Sequence, residues 1–206
     1  MITLYRAPYS TNVERVALAL AHKGLAVESV VVDYGDRSPV ERVSGQGLVP
    51  VIDDGGEVVA DSTRILRYLE EAHPDPPLFP RDAARRAELD VFLEWFDEVW
   101  KGPPNEIEAE LRVTAPDPDR IGALAGQMAA WLDLFERMLD GRDNLLGDAF
   151  SAADCAAFPF LKYARSRDPA DDEPFHRILD EHQRLGDDHP RLGAWIEVVD
   201  QRPRAY

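Results

Sequence analysis

Val49-Pro50-Val51-Ile52-Asp53-Asp54-Gly55-Gly56-Glu57-Val58-Val59-Ala60 is the stretch whose reading decides the fold. Two short apolar runs flank a turn of aspartates and glycines, so residues 49–60 read as a β-hairpin. The residues just beyond it change period. Ile65, Leu66, Leu69 and Ala72 fall on one face of a helix, with Ser62 placed as its N-cap.

Toward the N-terminus, Val27 to Asp33 is β-branched and reads as a strand, and Ile2 to Tyr5 is a shorter apolar run of the same kind. Between them, from Asn12 onward, Val13, Val16, Ala17, Leu20 and Ala21 keep helical spacing until Gly24 supplies a stop. The region before Val49 reads as irregular. The resulting order, βαβ then ββα, is thioredoxin-like. Its first helix is the crossover that two parallel strands require.

Toward the C-terminus, Pro74, Pro76, Pro77 and Pro80 punctuate the chain so densely that no helix can continue. The expected organisation is a thioredoxin-like domain over 1–76, a linker over 77–82 and an all-helical domain over 83–206. Within the last, three stripes carry helical spacing. They are Leu89, Phe92, Leu93, Phe96, Val99 and Trp100; then Leu124, Met128, Trp131, Leu132, Phe135 and Leu139; then Leu192, Trp195, Ile196 and Val199. The charged stretch from Arg165 to Glu173 reads as an exposed loop. The fold class is therefore α/β plus all-α, a thioredoxin-like domain followed by a helical bundle.

With 206 residues, 45% of them hydrophobic, the chain can bury a core without disulfides or structural metal. The formal net charge of −16 repels phosphate backbones and anionic lipid, which argues against nucleic-acid and membrane partners. Cys155 is the one cysteine. It lies in an apolar run, where a buried inert thiol is expected. The start Met1-Ile2-Thr3-Leu4-Tyr5 lacks the basic, then apolar, pattern of a signal peptide, and no apolar run is long enough for a bilayer, so a cytoplasmic protein is expected. His22, His73, His176, His182 and His189 show no metal-ligand spacing with Cys155, so no metal site is expected.

Four pieces of the chain, in order, resemble the cytosolic glutathione transferase family. The first is Tyr9-Ser10-Thr11-Asn12-Val13-Glu14-Arg15, which looks like the family's serine- and cysteine-type opening and, with serine at the key position, resembles the serine type (theta- or zeta-like, or a related bacterial branch). There the catalytic residue lies five positions before an arginine, and that position here is Ser10. The second is Ser44-Gly45-Gln46-Gly47-Leu48-Val49-Pro50, similar to Asn-Pro-x-Gly-x-Val-Pro. The third is the acidic-Ser pair Asp61-Ser62, and the fourth is Gly147-Asp148-Ala149-Phe150-Ser151-Ala152-Ala153-Asp154, which resembles the helical-domain capping motif. Two positions depart from the pattern: Ser44-Gly45 replaces Asn-Pro, and Leu48 stands where many members place a Lys or Gln that contacts the tripeptide's glycyl carboxylate.

The resemblance implies a homodimeric detoxification enzyme that uses glutathione, or a related low-molecular-weight thiol, as co-substrate against a small electrophile. The reactive species is the thiolate, and Ser10 is placed to donate its hydroxyl proton to the sulfur, aided by the positive end of the first helix. A helix cap is the plain structural role for the same residue. Tyr5 is a rival activator, since other branches use a tyrosine at the end of the first strand. The resemblance further implies a cis bond before Pro50, with the Val49 main chain holding the thiol's peptide like an added strand. Ser62 and the N–H groups behind it suit a carboxylate, and Asp61 suits an ammonium. Tyr9, Phe96 and Trp100 are candidates to line the electrophile pocket, expected between the domains. Ser151 and Asp154 read as a structural capping box. Thiol-dependent isomerisation or dehalogenation begins from the same activated sulfur. A non-catalytic binding or assembly module on this fold is the competing class, which Leu48 and Ser44-Gly45 favour.

Overall fold

β1 (Ile2–Arg6) and β2 (Val27–Val31) pair in parallel, with Ile2 opposite Val27 and Arg6 opposite Val31, because α1 (Thr11–His22) carries the chain back between them. β3 (Val51–Asp54) and β4 (Glu57–Ala60) form the hairpin read from residues 49–60. β3 also runs antiparallel to β1, pairing Tyr5 with Val51 and Ile2 with Asp54. The sheet order is β2-β1-β3-β4. This computed structural model describes residues 1–206.

The chain divides into two compact units. The first comprises Met1–Ala83 together with Arg202–Tyr206, and the second Ala84–Gln201. The division differs from a linker at 77–82 in two respects. Leu78 and Phe79 are buried in the first unit, and the five residues from Arg202 onward return to it.

Within the first unit, α1 packs against α3 (Ser62–Ala72). Their ends are tied by a buried ion pair. Lys23 Nζ, just past α1, donates to Glu70 Oε2 at 3.0 Å, to the His73 carbonyl at 2.7 Å and to the Pro76 carbonyl at 3.0 Å. Glu70 Oε2 also accepts Leu78 N–H at 2.9 Å. The proline segment is thus held down by one ammonium and one carboxylate.

Two readings of this unit need correction. The region before Val49 is not wholly irregular: α2 (Ser38–Ser44) forms there, with Pro at its start and left-handed Gly45 as its C-cap. Only Val40 of it is buried, so seven residues carry too little periodicity to be seen. The N-cap of α3 is Asp61, whose carboxylate accepts Arg64 N–H at 3.0 Å, and Ser62 is the first helical residue.

At the other end of α3, Asp54 accepts Tyr68 O–H at 3.1 Å and lies 2.8 Å from His73 Nε2. The His73 hydrogen bond is the main cause holding the Asp54 carboxyl below its ordinary value, against partial desolvation. A carboxyl depressed in the folded state stabilises above its unfolded pKa, about 4, and that contribution disappears as pH falls through the folded value. Asp54→Asn is therefore expected to lose less stability than wild type between about pH 5 and pH 2, as followed by urea midpoints.

The named elements from residue 83 onward are all helical: α4 (Ala83–Trp95) running into a π-turn at Phe96–Trp100, α5 (Gly102–Leu111), α6 (Pro118–Met138), α7 (Ala152–Leu161) with a 3₁₀ turn at Lys162–Ala164, α8 (Pro174–His182) and α9 (Pro190–Asp200). The core of the second unit is aromatic. Phe96 and Trp100 stack at 4.5 Å between centroids, and Phe135 and Phe160 meet them edge-on. No helix is long and apolar enough to cross a membrane.

α7 begins with a reciprocal cap: Ala153 N–H donates to Ser151 Oγ, and Ser151 N–H donates to Asp154 Oδ2 at 2.9 Å. Asp154 is fully buried and does more than cap. Its Oδ1 accepts Leu145 N–H and Trp195 Nε1–H, both at 3.0 Å, and its Oδ2 also accepts Ser151 Oγ–H at 3.0 Å. Burial pushes its carboxyl upward, opposed by these four donors. Cys155, the next residue, is buried too.

The stretch 165–173 is not simply an exposed loop. Asp171 is 1% exposed, accepts Tyr163 O–H at 2.7 Å and lies 2.8 Å from His176 Nδ1, while the Tyr163 and His176 rings stack. Charge-rich composition hid one carboxylate that is consumed internally.

Candidate functional site

Two helix starts and one loop carry the candidate site residues of the first unit. The first helix start lies beyond β1, where Ala7–Ser10 turns the chain into α1. Tyr9 takes a left-handed backbone, φ 59°, and is 43% exposed. Ser10 follows in extended conformation as the N-cap, its Oγ accepting Val13 N–H at 3.3 Å while its carbonyl accepts Glu14 N–H at 3.0 Å. The cap occupies a lone pair of Oγ and leaves the hydroxyl hydrogen to donate. Capping and donation are therefore compatible in one side chain.

The second helix start is that of α3. Asp61 also has positive φ, 78°, uncommon outside glycine. Strained backbone of this kind concentrates at ligand sites, and here both instances stand at helix entrances. Ser62 is buried at 5% exposure. Its hydroxyl accepts Arg15 Nη1–H at 3.3 Å and donates to Asn12 Oδ1 at 3.4 Å. Arg15 also reaches Thr63 Oγ1 at 3.4 Å. Asn12 and Arg15 belong to α1, so the network locks the two helix starts together. The Ser62 hydroxyl faces α1, and what α3 turns outward is its Asp61 carboxylate and N-terminal field.

The loop is Ser44–Pro50. Gln46 organises it by accepting Leu48 N–H at 2.5 Å and donating to the Leu48 carbonyl at 3.0 Å and to Ser44 Oγ at 3.1 Å. Leu48 itself is 76% exposed. The Val49–Pro50 bond is cis. Val49 packs with Tyr5 and Ala60 against Val32, Val40 and Val51. Tyr5, the rival activator, is therefore placed in an apolar cluster.

Phe96 and Trp100 are placed otherwise than expected. At 0% and 1% exposure they fill the aromatic core of the helical unit and offer no surface to a ligand. Large rings at helical spacing satisfied the core first. Of the three proposed pocket residues, only Tyr9 is exposed.

Arg37 escaped the sequence reading. Its guanidinium lies over the Tyr34 ring at 4.5 Å, and the Tyr34 hydroxyl donates to the Pro8 carbonyl at 3.3 Å. A Cβ built on Gly47 would stand 3.4 Å from Arg37 Cβ, so Arg37 flanks the loop that presents Leu48. The signal was faint: one arginine ahead of Ser38-Pro39, with nothing local to mark it. No group of three or more His, Cys, Asp or Glu side chains is gathered as a metal site.

Comparisons with known proteins agree along the chain. A family model described as "Glutathione S-transferase, N-terminal domain" matches residues 4–77, and one described as "Glutathione S-transferase, C-terminal domain" matches residues 65–197. Glutathione S-transferase 3 of Zea mays is 31% identical over 98% of this chain and 90% of that protein. FtsZ-localized protein A of Caulobacter vibrioides is 31% identical over 77% of this chain and 75% of that protein. A solved theta class glutathione S-transferase from the citrus canker pathogen Xanthomonas axonopodis pv. citri, with glutathione bound, is similar at TM-score 0.74 and 25% identity, covering 98% of this chain and 93% of that one.

Proposed function

Because the chain belongs to the glutathione S-transferase family, we propose that it activates the thiol of glutathione, or of a related low-molecular-weight thiol, for attack on a small electrophile. The observation that carries this reading is the Ser10 cap, which keeps an O–H donor at the positive end of α1. A thiolate there accepts the Ser10 hydrogen. Its sulfur forms a bond to the electrophilic carbon as the leaving group departs with its electron pair. Asp61 pairs with the thiol's ammonium, the N-terminus of α3 faces its α-carboxylate, and the Val49 main chain holds its peptide. Arg37 takes the distal carboxylate that Leu48 cannot bind. Tyr9 borders the electrophile. The active form is a homodimer, and a reducing cytoplasm is the compartment that keeps such a thiol available.

The test is a pH titration of the thiolate absorbance of bound glutathione. Wild type is expected to lower the thiol pKa by about 2 units, roughly 2.7 kcal/mol of anion stabilisation. Ser10→Ala is expected to lose most of that shift and roughly 100-fold in kcat/KM. Equal midpoints for bound and free glutathione would end the proposal.

A second reading has its own support. Leu48 is exposed where many family members carry a polar contact, and one relative is named for localisation with FtsZ rather than for a reaction. On this reading the fold serves as a binding module. It predicts no retention on immobilised glutathione and no thiolate band with any small thiol tried.

A further inference from the structure

Residues 10, 14 and 17 share one face of α1, because side chains three and four apart stack on a helix. Ser10 stands at the top of that face as the N-cap. The rest of it is covered by the chain's own segment Arg202–Tyr206, which belongs to the first unit although α1 lies far from it in sequence. Ala205 N–H donates to the Ala17 carbonyl at 3.0 Å. Arg204 grips Glu14, its Nη2 at 2.8 Å and its Nε at 3.1 Å from Glu14 Oε1, and the pair is 15% and 9% exposed. Arg204 Nη1 also donates to the Arg202 carbonyl at 2.6 Å, which fixes the guanidinium plane. Beyond it, the Arg6 guanidinium lies 4.9 Å from the Tyr206 ring centroid.

We propose that Arg204 is a positioning residue for thiol activation: it cancels the Glu14 charge one helical turn below Ser10 and holds that face of α1 in register. The physical problem it solves is electrostatic. The α1 N-terminus attracts a thiolate through partial positive charge, and a carboxylate one turn away, about 6 Å along the axis, opposes it. Glu14 is largely removed from water, so solvent screens it weakly, and a counter-charge in direct contact is the effective remedy. Arg204 contacts Glu14 directly, and Glu14, Arg204 and Arg6 all act electrostatically on the nearby Tyr206 hydroxyl. Burial pushes the Tyr206 hydroxyl up to about 12, so it contributes no anion at neutral pH. This inference rests on Ser10 as the thiol-facing residue, and its test is arranged so that the two can fail separately.

The experiment places a thiol at the position itself. Ser10→Cys introduces an accessible thiol into a chain whose own Cys155 is buried. Its pKa is read from thiolate absorbance and from the pH dependence of alkylation, without glutathione. In that background Arg204→Gln is expected to raise the midpoint by about one unit, Arg204→Lys to leave it nearly unchanged, and Glu14→Gln added to Arg204→Gln to restore it. Glu14→Gln alone is expected to lower it, which provides a reading should Arg204→Gln fold poorly. A midpoint indifferent to both Arg204→Gln and Glu14→Gln overturns the proposal, as does a rise that Glu14→Gln fails to reverse. The same substitutions on the Ser10 protein should shift bound glutathione in parallel. If the introduced thiol responds but glutathione never ionises on the protein, the transferase reading falls while the electrostatic coupling of Arg204 to position 10 stands.

Discussion

Asp154→Ala is expected to destabilise the protein by roughly 3–5 kcal/mol, among the larger effects a single substitution produces. One carboxylate accepts four hydrogen bonds, from Leu145 N, Trp195 Nε1, Ser151 N and Ser151 Oγ, at full burial. Truncation leaves at least three N–H donors in a space that water does not reach, each costing about 1–3 kcal/mol before relaxation. The loss has three addresses: the entrance of α7, the 145 turn and α9 through Trp195. Asp154→Asn should recover part of the loss, because its amide oxygen serves some donors while its NH₂ group confronts another. Urea unfolding with constant m-value would quantify both. A midpoint within experimental error of wild type for the alanine variant would show that the four bonds do not carry the stability assigned to them.

Lys23→Met is expected to cost a comparable 3–5 kcal/mol for a different reason. Here a buried charge pair loses one member. The Lys23 side chain is 0% and that of Glu70 8% exposed, so removing the ammonium strands a carboxylate and leaves the His73 and Pro76 carbonyls without their donor. Adding Glu70→Leu should relieve the stranded charge. It should not restore wild-type stability, since Leu78 N–H then loses its acceptor and both carbonyls remain. The double-mutant cycle tells the pair apart from its surroundings. If the double variant were as stable as wild type, the polar hub would be dispensable to the proline segment. Hydrogen exchange should show the single variant loosening first at residues 73–80.

The thioredoxin-like order was legible because each of its decisive features is local. Gly55 and Gly56 both take positive φ in the hairpin turn, and the short apolar runs on either side pair in register from Val51–Ala60 to Asp54–Glu57. The capping box was legible for the same reason, since Ser151 and Asp154 lie three residues apart. What sequence could not show is what distant chain supplies. Ser62 reads as a cap from its neighbours, yet Arg15 claims its hydroxyl from across the fold and Asp61 takes the cap. Asp171 reads as a solvated charge until Tyr163 and His176 close on it. Phe96 and Trp100 carry no local mark separating a pocket wall from a core, and packing decided for the core. Arg37 comes beside Gly47, the neighbour of Leu48, only once α2 and the loop after it have folded. At the candidate site, the Ser10 cap was readable and the resemblance implied the cis bond before Pro50, while the partners that orient the neighbouring side chains were not readable.

The return of Arg202–Tyr206 to α1 has a consequence for how the molecule is made. A ribosome delivers α1 well before the segment that covers it, with the entire helical unit synthesised in between. Until then the Glu14 carboxylate and the Ala17 carbonyl meet water instead of Arg204 and Ala205. A nascent first unit can form its sheet early, but the flank of its leading helix is completed only after the whole helical unit has been translated.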